Sequence, residues 1–203
     1  MWRIFVPLRY LQIDHPEKRK FDIWLPFILG IVFWLPLLSD GFREDSLRGF
    51  EIVAKVSSFL GVLTGFFIAA LAAVATFGKA EMDDPMPGDP PVRLEHHANK
   101  ETYFEELSRR RFLSFLFGYL SFVTLGLYLA GLAYPLVDSY FITVYWPDLR
   151  VPSFCVFWIV YGFVLANVLS NTLLGLFYLT DRIHRPNKTV KWKDKAQASA
   201  PHL

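Results

Sequence analysis

Few residues in this 203-residue chain combine a reactive side chain with the spacing that a metal or catalytic site requires. The five histidines lie in polar segments, and none belongs to an HExxH or Cys/His ligand pattern. The one adjacent pair points in different directions on any regular element, so we interpret it as solvated. We therefore predict no metal site and no cofactor. The histidines are His15, His96, His97, His184 and His202.

The sequence also lacks the motifs of the common enzyme classes. It has no glycine-rich phosphate loop and no nucleophile elbow. Its single cysteine, Cys155, excludes an internal disulfide and thiol-pair redox chemistry. The acidic clusters of phospholipid-head-group transferases are missing as well. We predict that the protein is not an enzyme.

Any site in this protein must be positioned by long apolar segments. The composition is 53% hydrophobic and 17% aromatic, which is typical of a polytopic membrane protein. At ~1.5 Å per residue, a helix of about 20 apolar residues crosses the ~30 Å hydrocarbon core of a bilayer. We predict an all-α fold with four transmembrane helices, which cover residues 21–38, 56–77, 112–137 and 152–180.

The distribution of lysine and arginine predicts the orientation of these spans. Most of the 21 cations lie in residues 1–20, in the central loop 78–111 and in the tail 181–203. The other two loops hold only Arg43, Arg48 and Arg150. By the positive-inside rule, both termini and the central loop face the cytoplasm of a bacterial inner membrane. Residues 1–13 are either a short interfacial helix or an irregular leader, and residues 15–20 are a polar break.

Small residues recur every fourth position along the second span and include a GxxxG motif. On a helix they form a narrow stripe on which another backbone packs closely. The stripe fits packing between copies of the chain, which predicts a homo-oligomer, and equally packing inside one bundle. Its members are Ser57, Gly61, Gly65, Ala69 and Ala73.

The most polar site within a predicted span is formed by Asn167, Ser170 and Asn171 in the fourth span. The two asparagines lie four residues apart and share a helix face, and an amide without a partner is costly in hydrocarbon. We interpret them as interhelical hydrogen-bonding groups, and the alternative is the lining of a pore between several copies. No span carries Asp or Glu at its centre, which disfavours a proton-coupled transporter.

The central loop is longer than a mere connector requires, and it is the candidate surface for a cytoplasmic protein partner. Its proline-rich first part cannot continue a helix. Residues 99–111 are predicted to form a helix that opens at Asn99 and continues into the third span. The candidate partner-binding residues are Pro85, Pro87, Pro90, Pro91, Arg109, Arg110 and Arg111.

The tail 181–203 is basic and then becomes poor in hydrophobic residues. Its cations are candidates for contact with anionic lipid headgroups. Positive-inside topology alone also accounts for them, and no module for nucleic-acid binding is present. The candidate lipid-headgroup residues are Arg182, Arg185, Lys188, Lys191 and Lys193.

With both termini inside and a central cytoplasmic loop at 78–111, the layout resembles small four-span bacterial membrane proteins of antiphage defence, such as the membrane subunit of the Kiwa system. The resemblance lies in length and architecture. It implies a homo-oligomeric membrane sensor that scaffolds a cytoplasmic effector. The alternative hypothesis is a pore-forming or membrane-depolarising effector, and a small-solute transporter is the third.

Overall fold

The computed structural model describes residues 2–14, 16–76, 82–86, 92–98 and 101–180. Within this part of the chain, four helices are long and apolar enough to cross a membrane. The predicted all-α class with four long apolar helices is therefore confirmed, with one small sheet added to it. The four helices are α1 (Lys20–Leu38), α2 (Ser46–Thr76), α3 (Arg109–Tyr145) and α4 (Pro147–Thr180).

Shorter elements join these helices and cover one end of the bundle. The chain begins with an N-terminal 3-10 helix, Trp2–Gln12, and a single helical turn precedes α1. That turn is Pro16–Arg19, and Asp40–Glu44 forms a second short helix between α1 and α2. The described strands pair antiparallel in the order β1 (Ile13–Asp14), β2 (Arg93–Ala98) and β3 (Glu101–Glu106).

The bundle is held together by two apolar clusters. Helix α2 packs along α3, the middle of α1 packs on α4, and the N-terminal 3-10 helix lies against α3. One cluster lies among α2, α3 and α4 and contains Leu60, Phe154 and Trp158. The other includes Phe67 and Phe117 and extends into the N-terminal segment and the sheet. Core burial therefore joins the cap, which consists of the N-terminal segment, residues 82–86 and the paired strands β2 and β3, to the helices at one end of the bundle.

The predicted helix over residues 99–111 is wrong. Arg93–Ala98 and Glu101–Glu106 pair as antiparallel strands instead, and the next helix starts only at Arg109. The second strand contains Thr102, Tyr103 and Phe104, which are β-branched or aromatic and favour strands. Leu94 and Leu107 are buried and anchor the hairpin to the core, so tertiary packing decides the local structure.

Four further boundaries differ from the sequence-based ones: α2 and α3 begin earlier than predicted, α3 continues to Tyr145, and α4 begins at Pro147. Helix α2 begins at Ser46, so much of the predicted polar loop over residues 39–51 is helical. Helix α3 begins at Arg109, which places three consecutive arginines in its first turn rather than at the end of a preceding helix. Helix α3 starts at Arg109 because Ser108 is its N-cap residue: the Ser108 hydroxyl accepts a hydrogen bond from the Arg111 backbone amide at 3.4 Å.

The outer surface of the bundle is strongly apolar. Large exposed hydrophobic side chains occur along all four long helices, for example Val32, Val62, Leu129 and Val160. A water-soluble monomer rarely exposes such a continuous apolar surface. The surface therefore fits contact with lipid chains.

Candidate functional site

A group of polar side chains lies where the N-terminal segment meets α1, α3 and α4. We call it the polar cluster; its members are Tyr10, Lys18, Asp22, Tyr119, Asn167 and Asn171. A π-helical turn, Lys20–Trp24, begins α1 and carries Asp22. Such turns often occur at functional positions of helices. The polar cluster is the most extensively hydrogen-bonded side-chain site in the described structure.

The amides of α4 form the centre of the polar cluster. Asn167 accepts a hydrogen bond from the Tyr119 hydroxyl at 2.8 Å and donates from its Nδ2 to the Asp22 carbonyl at 2.9 Å. Asn171 donates to the Oδ1 of Asn167 at 3.2 Å and accepts from the Tyr10 hydroxyl at 2.7 Å. The two amides thus connect α1, α3, α4 and the N-terminal segment inside one chain.

A buried ion pair completes the polar cluster. Lys18 Nζ contacts Asp22 Oδ2, and both side chains are nearly excluded from solvent. The ammonium also lies over the ring of Tyr10, 4.4 Å from its centroid, and that ring stacks on Tyr119. Burial, with a further contribution from the Asp22 carboxylate, raises the pKa of Tyr10 well above its usual value. Tyr10 is therefore a protonated donor at neutral pH.

A cavity of about 730 Å³ opens beside the polar cluster. We call it the head cavity. Its polar wall includes Gln12, Lys18, Arg19, Asp22 and Asn167, and its apolar wall comes from residues of the N-terminal segment, α1 and α4. The head cavity has the mixed lining of a ligand site, with a few polar groups set among apolar ones.

The structure brings the predicted intramembrane polar residues together. Asn167, Ser170 and Asn171 are buried, and the Ser170 hydroxyl donates to the Ala166 carbonyl within its own helix. The amide oxygens of both asparagines are engaged by tyrosines of the same chain. This geometry favours the interpretation as interhelical hydrogen-bonding groups over a pore lining.

The small-residue stripe is divided by the structure. Ser57 is buried against Gly131 of α3, whereas the other four members are exposed, and Gly61 lines an open groove between α2 and α3. A Cβ placed on Gly61 or Gly65 would meet no atom within 4 Å. Most of the stripe is therefore not used for packing inside the chain.

The four candidate partner-binding residues that the structure describes do not form one exposed surface. Arg109 is buried, and Arg110 pairs with Asp83, with its Nε 2.8 Å from Oδ1. Arg111 lies over the ring of Phe115. Pro85 is exposed, and its backbone forms an isolated antiparallel β-bridge with Ser108.

Several candidate residues lie outside the described residues, and the structure gives no contacts for them. These are Pro87, Pro90 and Pro91 of the central loop and the candidate lipid-headgroup residues Arg182, Arg185, Lys188, Lys191 and Lys193 of the tail.

A smaller polar group lies at the opposite end of the bundle. The carboxylate of Asp138 is buried, and its Oδ2 is 3.6 Å from Nε of Arg150, whose guanidinium donates to Ser46 at 2.8 Å. Asp138 is the first residue of a π-helical turn, Asp138–Ile142. Asp22 also lies in a π-helical turn, at the start of α1. Each end of the bundle therefore places an aspartate with little solvent exposure beside a cation at a π-helical turn.

Sequence reasoning missed four members of the polar cluster: Tyr10, Lys18, Asp22 and Tyr119. The available signal was Lys18 and Asp22 at i, i+4 spacing across the start of the first span. Within the described part of the chain, no group of three or more His, Cys, Asp or Glu residues is placed to hold a metal ion.

Comparison with known proteins adds no relative. No family model, curated protein or solved structure matches this chain.

Proposed function

We propose that this protein is a non-enzymatic inner-membrane scaffold that assembles into homo-oligomers and presents its cap and central loop to a cytoplasmic protein partner. The observation that carries the proposal is the outward-facing stripe of α2. Gly61 and Gly65 are exposed, with open space where a side chain would be. In a bilayer, such a surface allows the backbone of a neighbouring helix to approach closely.

A second observation supports a sensing role for the cap. The cap consists of the N-terminal segment, residues 82–86 and the β-hairpin, and its buried side chains Ile13, Met82 and Leu94 belong to the same apolar cluster as Phe67 of α2. A shift of α2 in an assembly would be transmitted to the cap through these contacts. The resemblance in layout to antiphage membrane subunits favours defence as the setting of this role.

The first test concerns assembly. Gly65→Leu is expected to weaken self-association by about tenfold or more, because a bulky side chain on the contact helix separates the two backbones. Native mass spectrometry of the protein in lipid nanodiscs measures the subunit number. Gly126→Leu is the matched control, because Gly126 is also exposed with no atom within 4 Å of a Cβ. A monomeric wild type, or equal behaviour of the two variants, refutes assembly through this stripe.

The second test concerns orientation. Single cysteines at Ser39 and Glu106, both exposed, are introduced into a Cys155→Ser background. With an impermeant maleimide on intact cells, Ser39→Cys is expected to be labelled, and Glu106→Cys only after the membrane is permeabilised. Cys155→Ser alone controls for background labelling. Labelling of both sites from one side contradicts the proposed topology.

A further inference from the structure

An apolar groove lies next to the head cavity, along the seam between α3 and α4. This groove has a volume of about 570 Å³, and it is lined almost entirely by apolar atoms. Val164 is a lining residue of both the head cavity and the groove, so the two lie side by side along α4. The groove lining includes Leu127, Ala130, Val156, Phe157, Val160 and Tyr161.

The two parts lie along one face of the helix pair. On α4, Asn167, Val164, Val160 and Val156 follow at helical spacing from the head cavity into the groove. From Val164 to Val156 the groove runs for about 12 Å, since an α-helix rises 1.5 Å per residue. This length is close to the depth of one leaflet, about half of the ~30 Å hydrocarbon core.

The head cavity favours a ligand with negative charge. Lys18 and Asp22 neutralise each other. Arg19 is exposed beside them and forms no ion pair with any other residue that the structure describes, so the wall keeps one unbalanced cation. Asn167 uses its Nδ2 group once, toward the Asp22 carbonyl, which leaves a second N–H of the same group for a ligand oxygen.

We infer that the head cavity and the groove together bind one anionic phospholipid. The phosphate group lies at Arg19, within reach of Asn167, and an acyl chain follows the groove past Val164. A phospholipid needs a cationic polar pocket for its phosphate and an apolar groove for its acyl chain, and both lie along the same seam. This site differs from the tail cations and goes beyond the proposed scaffold, because lipid binding here requires no second copy of the chain.

Native mass spectrometry of the delipidated full-length protein in detergent tests this inference. The probes are dioleoyl-phosphatidylglycerol and dioleoyl-phosphatidylcholine, added in increasing amounts. One tightly bound phosphatidylglycerol per chain is expected. Arg19→Gln should weaken its binding about fivefold, the effect of one cation near a headgroup. Lys20→Gln is the matched control, because Lys20 is an adjacent exposed cation that does not line the head cavity.

A second pair of variants tests the groove. Val160→Trp fills it and should weaken phosphatidylglycerol binding about tenfold, the effect of losing roughly two buried methylene contacts. Ile159→Trp is the control, because Ile159 is exposed on the same helix but outside the groove. Thermal unfolding in detergent verifies that all four variants fold.

Three results would overturn the inference. The first is equal affinity for the two phospholipids, which removes the anionic preference. The second is an equal loss in Arg19→Gln and Lys20→Gln, or in Val160→Trp and Ile159→Trp, which removes the site. The third is binding of soluble glycerol 3-phosphate as tightly as the phospholipid, which indicates a free phosphate ligand. Because the same spectra report subunit number, failure of lipid binding is distinguishable from failure of assembly.

Discussion

Asp22→Asn is expected to lower the free energy of unfolding by about 3 kcal/mol. Lys18 and Asp22 are nearly excluded from solvent and face each other across one helical turn. The substitution preserves the shape of the side chain but leaves the Lys18 ammonium buried without a counter-charge. Chemical or thermal unfolding of the detergent-solubilised protein measures the change.

Two further variants separate this effect from a general loss of charge. Lys18→Met combined with Asp22→Asn removes both charges and should recover most of the lost stability, because no buried charge remains unpaired. Asp40→Asn breaks the exposed pair with Arg43 and should change stability by less than about 1 kcal/mol. A double variant no more stable than Asp22→Asn would show that the ion pair is not the source of the effect.

The membrane helices were predictable because they depend on local composition. Long apolar runs specify spanning segments whatever the rest of the chain does. The helix ends were less predictable, as the early start of α2 at Ser46 shows. Polar residues near the membrane interface are compatible with a loop and with a helix, and packing on neighbouring helices decides which one forms.

The polar cluster was only partly predictable because its members are distant in sequence. Asn167 and Asn171 stood out as amides in an apolar run. Their partners are distant in sequence: Tyr119 is 48 residues from Asn167, and Tyr10 is 161 residues from Asn171. A tyrosine in a membrane protein ordinarily indicates an interfacial position. Only the folding of the N-terminal segment over α3 brings the ring of Tyr10 to the amides of α4.

The small-residue stripe shows a different limit of sequence reasoning. Periodicity identified a face of α2 but gave no criterion for whether that face lies inside or outside the bundle. The structure distinguishes the packed part of the stripe from the exposed part. Ser57 packs closely against Gly131 of α3, whereas Gly61 and Gly65 have open space where a side chain would be. Close packing within the chain therefore occurs at one end of the stripe, and the remainder is exposed.

Asn167→Leu is the second substitution with a large expected effect, and it distinguishes the scaffold from a pore. Leucine removes the acceptor of the Tyr119 hydroxyl and the donor to the Asp22 carbonyl. Each buried group left without a partner costs about 1–3 kcal/mol, so the loss of stability exceeds that of an ordinary surface change. Unfolding in detergent measures it, and dye leakage from proteoliposomes tests for a pore.

A mutant cycle and a helix control make the Asn167→Leu result specific. Tyr119→Phe combined with Asn167→Leu leaves no unpaired tyrosine hydroxyl and should be more stable than Asn167→Leu alone, since removal of both partners is nearly neutral. Thr172→Val removes only a bond to Val168 within α4 and should change stability by less than about 0.5 kcal/mol. If Asn167→Leu instead leaves stability unchanged and alters leakage, the amides line a pore and the scaffold interpretation fails.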